Sequence, residues 1–230
     1  MMIFGRKPIG TLAGMFGVPA VLTTFCKAWG QLIAYSNYFA CDPNTEYIHL
    51  DYADFSFHSW ARNQLAERML GEFILMLDTD HEPEPDTLVR MWDRMQMHDL
   101  DVLCGVYQFK KEPYPPVIFG EDDKGQFQLL GAWDEALPLQ TVSAAGGGCL
   151  MVRRRVFNRI REELNEQPFD VIGQSGEDMA FFTRLKKLGI KPYMDARIEC
   201  PHLVTRSITL KDYRKPKVEP IRLKDAQGIV

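Results

Sequence analysis

The chain has no uninterrupted apolar run of the ~20 residues that a membrane span requires. Its most apolar early stretch, Thr11 to Cys26, is broken by Gly14, Gly17 and Pro19 and closed by Lys27, so it reads as a strand and a helix rather than an anchor. There is no Cys-x-x-Cys pair. The five cysteines, at 26, 41, 104, 149 and 200, are scattered and odd in number, which favours reduced thiols packed as small core residues over a disulfide frame or a zinc site. No secretory signal is evident. Together these absences lead us to expect a cytoplasmic protein. Internal repeats and low-complexity tracts are also missing, which excludes solenoid and linker architectures. Charge of one sign is not in excess: the net charge of -4 disfavours a nucleic-acid-binding face, although the basic stretch from Lys211 to Lys224 keeps such a contact open.

The 230 residues are 46% hydrophobic and 25% charged, as expected of a globular chain with a full core. Strand and helix signals alternate. Ile9 to Phe16 reads as a first strand, with Gly17-Val-Pro19 as the turn and a helix from Ala20 to about Tyr35. Tyr47 to Leu50 reads as a second strand. His58 to Leu70 has helical spacing in Ala61, Leu65 and Met69, with Gly71 as its stop. Glu82 to Asp86 opens a further helix with acids and proline in its first turn, and Leu88, Met91, Trp92 and Met95 form its buried stripe. Asp101 to Val106 is a strand. A proline-containing loop at Lys110 to Pro116 and a hairpin around Asp122 to Gly125 follow. Cys149 to Arg153 is a strand leading into a helix, Gln167 to Gly176 a loop, Glu177 the start of another helix ended by Gly189, and a short strand lies between Ile190 and Ile198. This alternation specifies an α/β fold with a mainly parallel central sheet flanked by helices.

The chemistry gathers around Glu72-Phe-Ile-Leu-Met-Leu-Asp78-Thr-Asp80-His81. Five apolar residues in a row read as a strand buried on both faces. They end in two carboxylates spaced i, i+2, which share one side if the strand continues. Ligands bind at this edge of an open α/β sheet, and hard oxygen ligands there suit Mn²⁺ or Mg²⁺ beside a diphosphate. Ala61-Arg62-Asn63 precedes this motif. Gly146-Gly147-Gly148, Gly176-Glu177-Asp178 and His202-Leu203 follow it.

This ordered set, from about Ile9 to Leu203, resembles the GT-A nucleotide-diphospho-sugar glycosyltransferases of the family 2 type, in the compact form of bacterial and bacteriophage genomes. The resemblance implies one Rossmann-like GT-A domain over residues 1–204. Residues 1–106 would form the nucleotide-binding half and residues 107–204 the acceptor and catalytic half, with a basic tail or lid at 205–230. It implies a metal-dependent hexosyltransferase acting from a nucleotide-diphosphate sugar, UDP favoured over GDP, onto a hydroxyl acceptor of unspecified glycan, lipid-linked or other type, with inversion favoured over retention. Asp78 and Asp80 would be the Asp-x-Asp. Asp80 would hold the Mn²⁺ or Mg²⁺ ion, Asp78 would reach the ribose or the metal shell, and His202 would complete the metal site.

The same resemblance makes Arg62 and Asn63 donor-binding residues and has Gly147 and Gly148 admit the donor sugar and acceptor. Asp178, paired with Glu177, would be the general base. Asp51 and Asp54 are both candidates for holding the base of the nucleotide. His81 departs from the family pattern as a possible extra metal ligand, and so does Gly14-Met-Phe-Gly-Val-Pro19, which stands where the family has Pro-x-Tyr-Asn. Two other readings stay open: a haloacid dehalogenase-like phosphatase using Asp78 and Asp80, and a non-catalytic nucleotide-sugar-binding module.

Overall fold

The computed structural model describes residues 5–16, 23–54, 57–130, 134 and 136–204. The expected turn at 17–19, the helix start at Ala20 and the basic tail from 205 lie outside the described residues. The elements are β1 (Lys7–Phe16), α1 (Thr23–Phe39), β2 (Glu46–Asp54), α2 (His58–Arg68), β3 (Phe73–Asp78), α3 (Thr87–Met97) and β4 (Val102–Val106), followed by β5 (Ile118–Glu121), β6 (Phe127–Leu129), β7 (Leu139–Thr141), β8 (Ala144–Ala145), β9 (Cys149–Arg153), α4 (Arg154–Leu164), α5 (Glu177–Lys187) and β10 (Tyr193–Glu199).

The large sheet has the order β2-β1-β3-β9-β4-β10-β7, and a small sheet has the order β6-β5-β8. β1 runs parallel to β2 and β3, and β4 parallel to β10. β9 is antiparallel to both β3 and β4, and β7 is antiparallel to β10. Five of the seven strands therefore point the same way.

β3 is the axis of the core. Phe73 to Leu77 are all fully buried, a burial that stabilises by roughly 1.5–3 kcal/mol per large side chain. Alternation divides them between the two faces. Ile74 and Met76 pack with α2, α4 and α5 residues such as Leu65, Phe157 and Phe181. Phe73, Leu75 and Leu77 pack with α1 and α3 residues such as Leu32, Leu88 and Met91. The glycine before β3 is fixed by geometry. Gly71 has φ +79°, and a Cβ there would lie 2.3 Å from the Ile9 carbonyl carbon, so no other residue makes this turn against β1 without strain.

Two helices differ from the sequence expectation. α1 extends past Tyr35 to Phe39 because its buried face continues to Ser36, whose carbonyl accepts from the Ala40 amide. α3 begins at Thr87, not at Glu82. The Glu82 amide is drawn to the Pro201 carbonyl at 2.9 Å, and the His81–His202 bridge holds the chain extended there, so Glu82 and Glu84 precede the helix instead of facing its dipole.

Because β9 runs against β3, Leu77 pairs with Cys149 and Phe73 with Arg153. The residues leading into β9 therefore arrive where β3 leaves the sheet, and the Asp78 amide donates to the Gly148 carbonyl at 3.1 Å. Asp78, the glycine triplet, the start of α5 and the 200–203 segment meet at this edge.

Candidate active site

The side chain at the centre of this edge is Arg62. It projects from α2 and is only 2% exposed. Its guanidinium donates from Nη2 to Asp78 Oδ1 at 2.9 Å, from Nε to Glu177 Oε1 at 3.3 Å and from Nη1 to the Gly147 carbonyl at 2.9 Å. Burial alone would lower its pKa, but the charges of Asp78, Glu177 and Asp178 raise it. The planar fork suits this three-way bridge, since each donor has its own acceptor. Arg62 thus joins α2, β3, the β9 lead-in and α5. Asn63, its neighbour, is committed elsewhere. Its Nδ2 donates to Asp170 at 2.8 Å and its Oδ1 accepts from the Phe169 amide at 2.9 Å, holding the loop before α5.

Asp178 lies in the first turn of α5, with Gly176 as N-cap. Its Oδ1 accepts from the Met179 amide at 2.8 Å. Burial raises its pKa, and the charge of Glu177 adds to the rise. The Met179 amide, Arg62 and the Gly147 amide oppose it without cancelling it. The helix start favours the ionised form, yet desolvation prevails.

The two motif carboxylates do not share a side. β3 ends at Asp78 and the chain turns through Thr79-Asp80, with the His81 amide reaching the Asp78 carbonyl at 3.3 Å. Asp78 is held by Arg62. Asp80 faces a different group: His81 Nδ1 lies 3.1 Å from Oδ1, His202 Nε2 3.4 Å from Oδ2 and Lys110 Nζ 2.5 Å from Oδ2. Burial alone would raise the Asp80 pKa, but His202, His81 and Lys110 pressed against it hold it well below the usual carboxylate range.

Asp80, His81 and His202 each offer a ligand atom, all within 4.8 Å of one another. His81 Nε2 is buried without a hydrogen-bond partner among the described residues, a costly state unless something else satisfies it, while the buried Asp80 Oδ1 and His81 Nδ1 face each other at 3.1 Å. His202 Nδ1 sits 2.8 Å from the Gln108 carbonyl. A carbonyl only accepts, so Nδ1 carries a proton there, and the ring is oriented with Nε2 toward Asp80 Oδ2, as a backbone carbonyl orients a metal-ligating histidine. The His81 and His202 rings stack with centroids 4.4 Å apart, and Tyr107 meets His81 edge-on at 4.6 Å. One carboxylate and two imidazoles suit a first-row divalent cation such as Mn²⁺.

The glycine triplet is packed against this machinery. A Cβ on Gly147 would lie 2.8 Å from Arg62 Cζ, on Gly148 2.6 Å from His81 Cε1, and on Gly146 1.9 Å from the Tyr107 hydroxyl. The first demand on these glycines therefore comes from the protein's own side chains. Tyr107 and Lys110 were not singled out in the sequence, although Tyr107 directly follows β4, where an edge residue is expected. Nothing in the pattern marks Lys110. Of the two candidates for the nucleotide base, Asp51 is bound by Arg68 at 3.1 Å, and the Asp54 side chain lies outside the described residues.

No curated protein matches the chain by sequence. A crystal structure of GalNAc-T7 with UDP, GalNAc and Mn²⁺ matches it with a TM-score of 0.57 at 10% identity, over 92% of this chain and 45% of that one. The chain thus spans less than half the length of that protein. The likeness shows the fold, a GT-A α/β fold with a mainly parallel sheet. The family model described as "Glycosyl transferase family 2" matches residues 34–161.

Proposed function

The chain belongs to glycosyl transferase family 2, and from that premise we propose that it moves a hexosyl group from a nucleotide-diphosphate sugar to an acceptor hydroxyl, with a divalent cation held at Asp80, His81 and His202. The observation that carries this reading is the set of three ligand atoms within 4.8 Å, with the buried His81 Nε2 left without a hydrogen-bond partner, at the edge where Asp78 emerges. When bound there, the cation supplies Lewis-acid stabilisation of the departing diphosphate. Mn²⁺ and a UDP-sugar are the favoured cofactor and donor, because the GalNAc-T7 structure contains UDP and Mn²⁺.

The chain's own residues divide the remaining work. Arg62 fixes Asp78 and Glu177 in one frame, so the donor-facing end of β3 and the acceptor-facing start of α5 move together. Asp78 keeps one oxygen bound to Arg62 and is assigned to the ribose. Asp178 accepts the acceptor hydroxyl's proton as that oxygen attacks the anomeric carbon, which gives inversion. Its raised pKa brings the base closer to working pH than an exposed aspartate. Gly147 and Gly148 supply backbone at the donor sugar. Asn63 contributes by holding the 169–170 loop. In this reading residues 1–106 bind the nucleotide and 107–204 the acceptor.

No helix among the described residues is long and apolar enough to cross a membrane. Free buried thiols at Cys41, Cys104, Cys149 and Cys200 support a reducing, cytoplasmic setting.

Calorimetric titration of UDP, GDP and dTDP, each with Mn²⁺ and with EDTA, tests the proposal. The expected result is UDP binding that disappears with EDTA. Binding of none of the three with Mn²⁺ would overturn it.

A further inference from the structure

Lys110 is not part of any expected motif, yet its ammonium is 2.5 Å from Asp80 Oδ2. Asp80 Oδ1 is buried toward His81, whereas Oδ2, the oxygen that Lys110 holds, also faces His202 Nε2 at 3.4 Å. A cation shared by Asp80 and His202 must approach through Oδ2, where the ammonium already sits. A divalent ion and an ammonium a few ångströms apart repel strongly in a partly buried site, so the two occupy this oxygen alternately.

The loop that carries Lys110 is built for such an exchange. Its base is closed by the Val117 amide on the Tyr107 carbonyl at 2.9 Å and by the Gln108–Pro116 bridge. The same base orients His202 through the Gln108 carbonyl. The Lys110 side chain itself is 43% exposed, and it borders a cleft of about 340 Å³ lined by Phe109, Tyr114 and His202. The metal ligand is thus fixed while the lysine has room to leave, on four flexible methylenes.

We propose that Lys110 is a resident cation that competes with the divalent metal for Asp80 and, once displaced, pairs with the diphosphate of the donor. The inference rests on the metal-site reading above. Metal alone must evict an ammonium from a carboxylate. Metal arriving with a nucleoside diphosphate offers that ammonium new oxygen partners. Metal and nucleotide therefore strengthen each other's binding, and by linkage each does so by the same factor.

The test is Mn²⁺ binding by calorimetry, with free Mn²⁺ followed by electron paramagnetic resonance, on the full chain as wild type, Lys110→Met and Lys110→Arg, each with and without UDP. In Lys110→Met, Mn²⁺ without nucleotide should bind at least about tenfold more tightly, since a competing charge is gone. The enhancement by UDP should shrink, and Lys110→Arg should stay near wild type. Unchanged or weaker Mn²⁺ binding in Lys110→Met, while UDP binding still requires Mn²⁺, would overturn this proposal and leave the metal site standing. No Mn²⁺ binding by wild type or Lys110→Met, with or without UDP, would overturn both.

Discussion

Arg62 Nη2 and Asp78 Oδ1 meet at 2.9 Å, with the arginine 2% exposed and the aspartate side chain 29% exposed. One partner belongs to the core and the other to the cleft, so the pair converts the rigidity of α2 and β3 into the placement of a single carboxylate.

Removing the arginine leaves Asp78 and Glu177 facing each other without their shared counter-charge. Arg62→Ala is expected to destabilise the protein by about 3–5 kcal/mol, the range for breaking a buried ion pair on one side. Arg62→Lys should recover only part of this loss, since a single ammonium cannot reproduce the three-acceptor fork. Urea denaturation of both variants measures the difference, and equal stability of Arg62→Ala and wild type would refute the clamp.

In the proposed mechanism Asp178 carries the pH dependence of transfer. Its pKa is raised in the folded state by burial and by Glu177, so the base is lost as pH falls through a value above that of an ordinary aspartate. The acid limb of the rate profile should lie correspondingly high. The sign for stability is opposite to that of a salt-bridged acid. Below the unfolded pKa both states hold the proton and there is no penalty, whereas above the folded pKa the buried charge costs stability. Asp178→Asn should therefore lower transfer by roughly 10²–10⁴-fold, abolish that acid limb and melt no lower than wild type at neutral pH. Transfer assays across pH and thermal melts check the three outcomes together.

Gly148→Ala probes the packing of the metal group. The new methyl would lie 2.6 Å from His81 Cε1, and His81 is 1% exposed between Tyr107 and His202. Overpacking of this kind costs about 1–3 kcal/mol. Displacing His81 should also weaken Mn²⁺ binding. Calorimetry with Mn²⁺ that returned the wild-type affinity would show that His81 is no ligand.

Asn63→Ala removes both bonds to the Phe169-Asp170 segment. At about 0.5–1.5 kcal/mol per hydrogen bond, the expected loss is roughly 1–3 kcal/mol, read from urea midpoints. Acceptor KM should rise more than nucleotide Kd, because the affected loop leads into α5.

The sequence made the architecture legible where hydrophobic pattern alone decides it. Phe73 to Leu77 could only be a strand covered on both sides, and the helix ends at Gly71 and Gly189 follow from glycine's conformational range. Glu177 and Asp178 were legible as a helix start in contact with the site. The roles of other residues depend on where long side chains reach, which no local pattern encodes. Arg62 reads as a nucleotide-facing arginine, but its guanidinium is spent inside the protein. Asp78 and Asp80 read as a pair by their spacing, but the turn at Thr79 sends them to different partners. Lys110 is 30 residues from Asp80 and becomes its neighbour only through the sheet order.

The antiparallel entry of β9 has a last consequence. Chain leaves this edge of the sheet after Val106 and returns to it at Gly148, so the excursion between β4 and β9, which carries the small sheet and β7 of the large one, begins and ends at the edge where Asp78 emerges. Lengthening a loop whose ends are already held together costs only about 0.6 kcal/mol per doubling. The turn between β5 and β6, away from β7 and from the site groups at Tyr107, Lys110 and the glycine triplet, is thus the part of the excursion that can lengthen while the sheet register and the site stay unaltered.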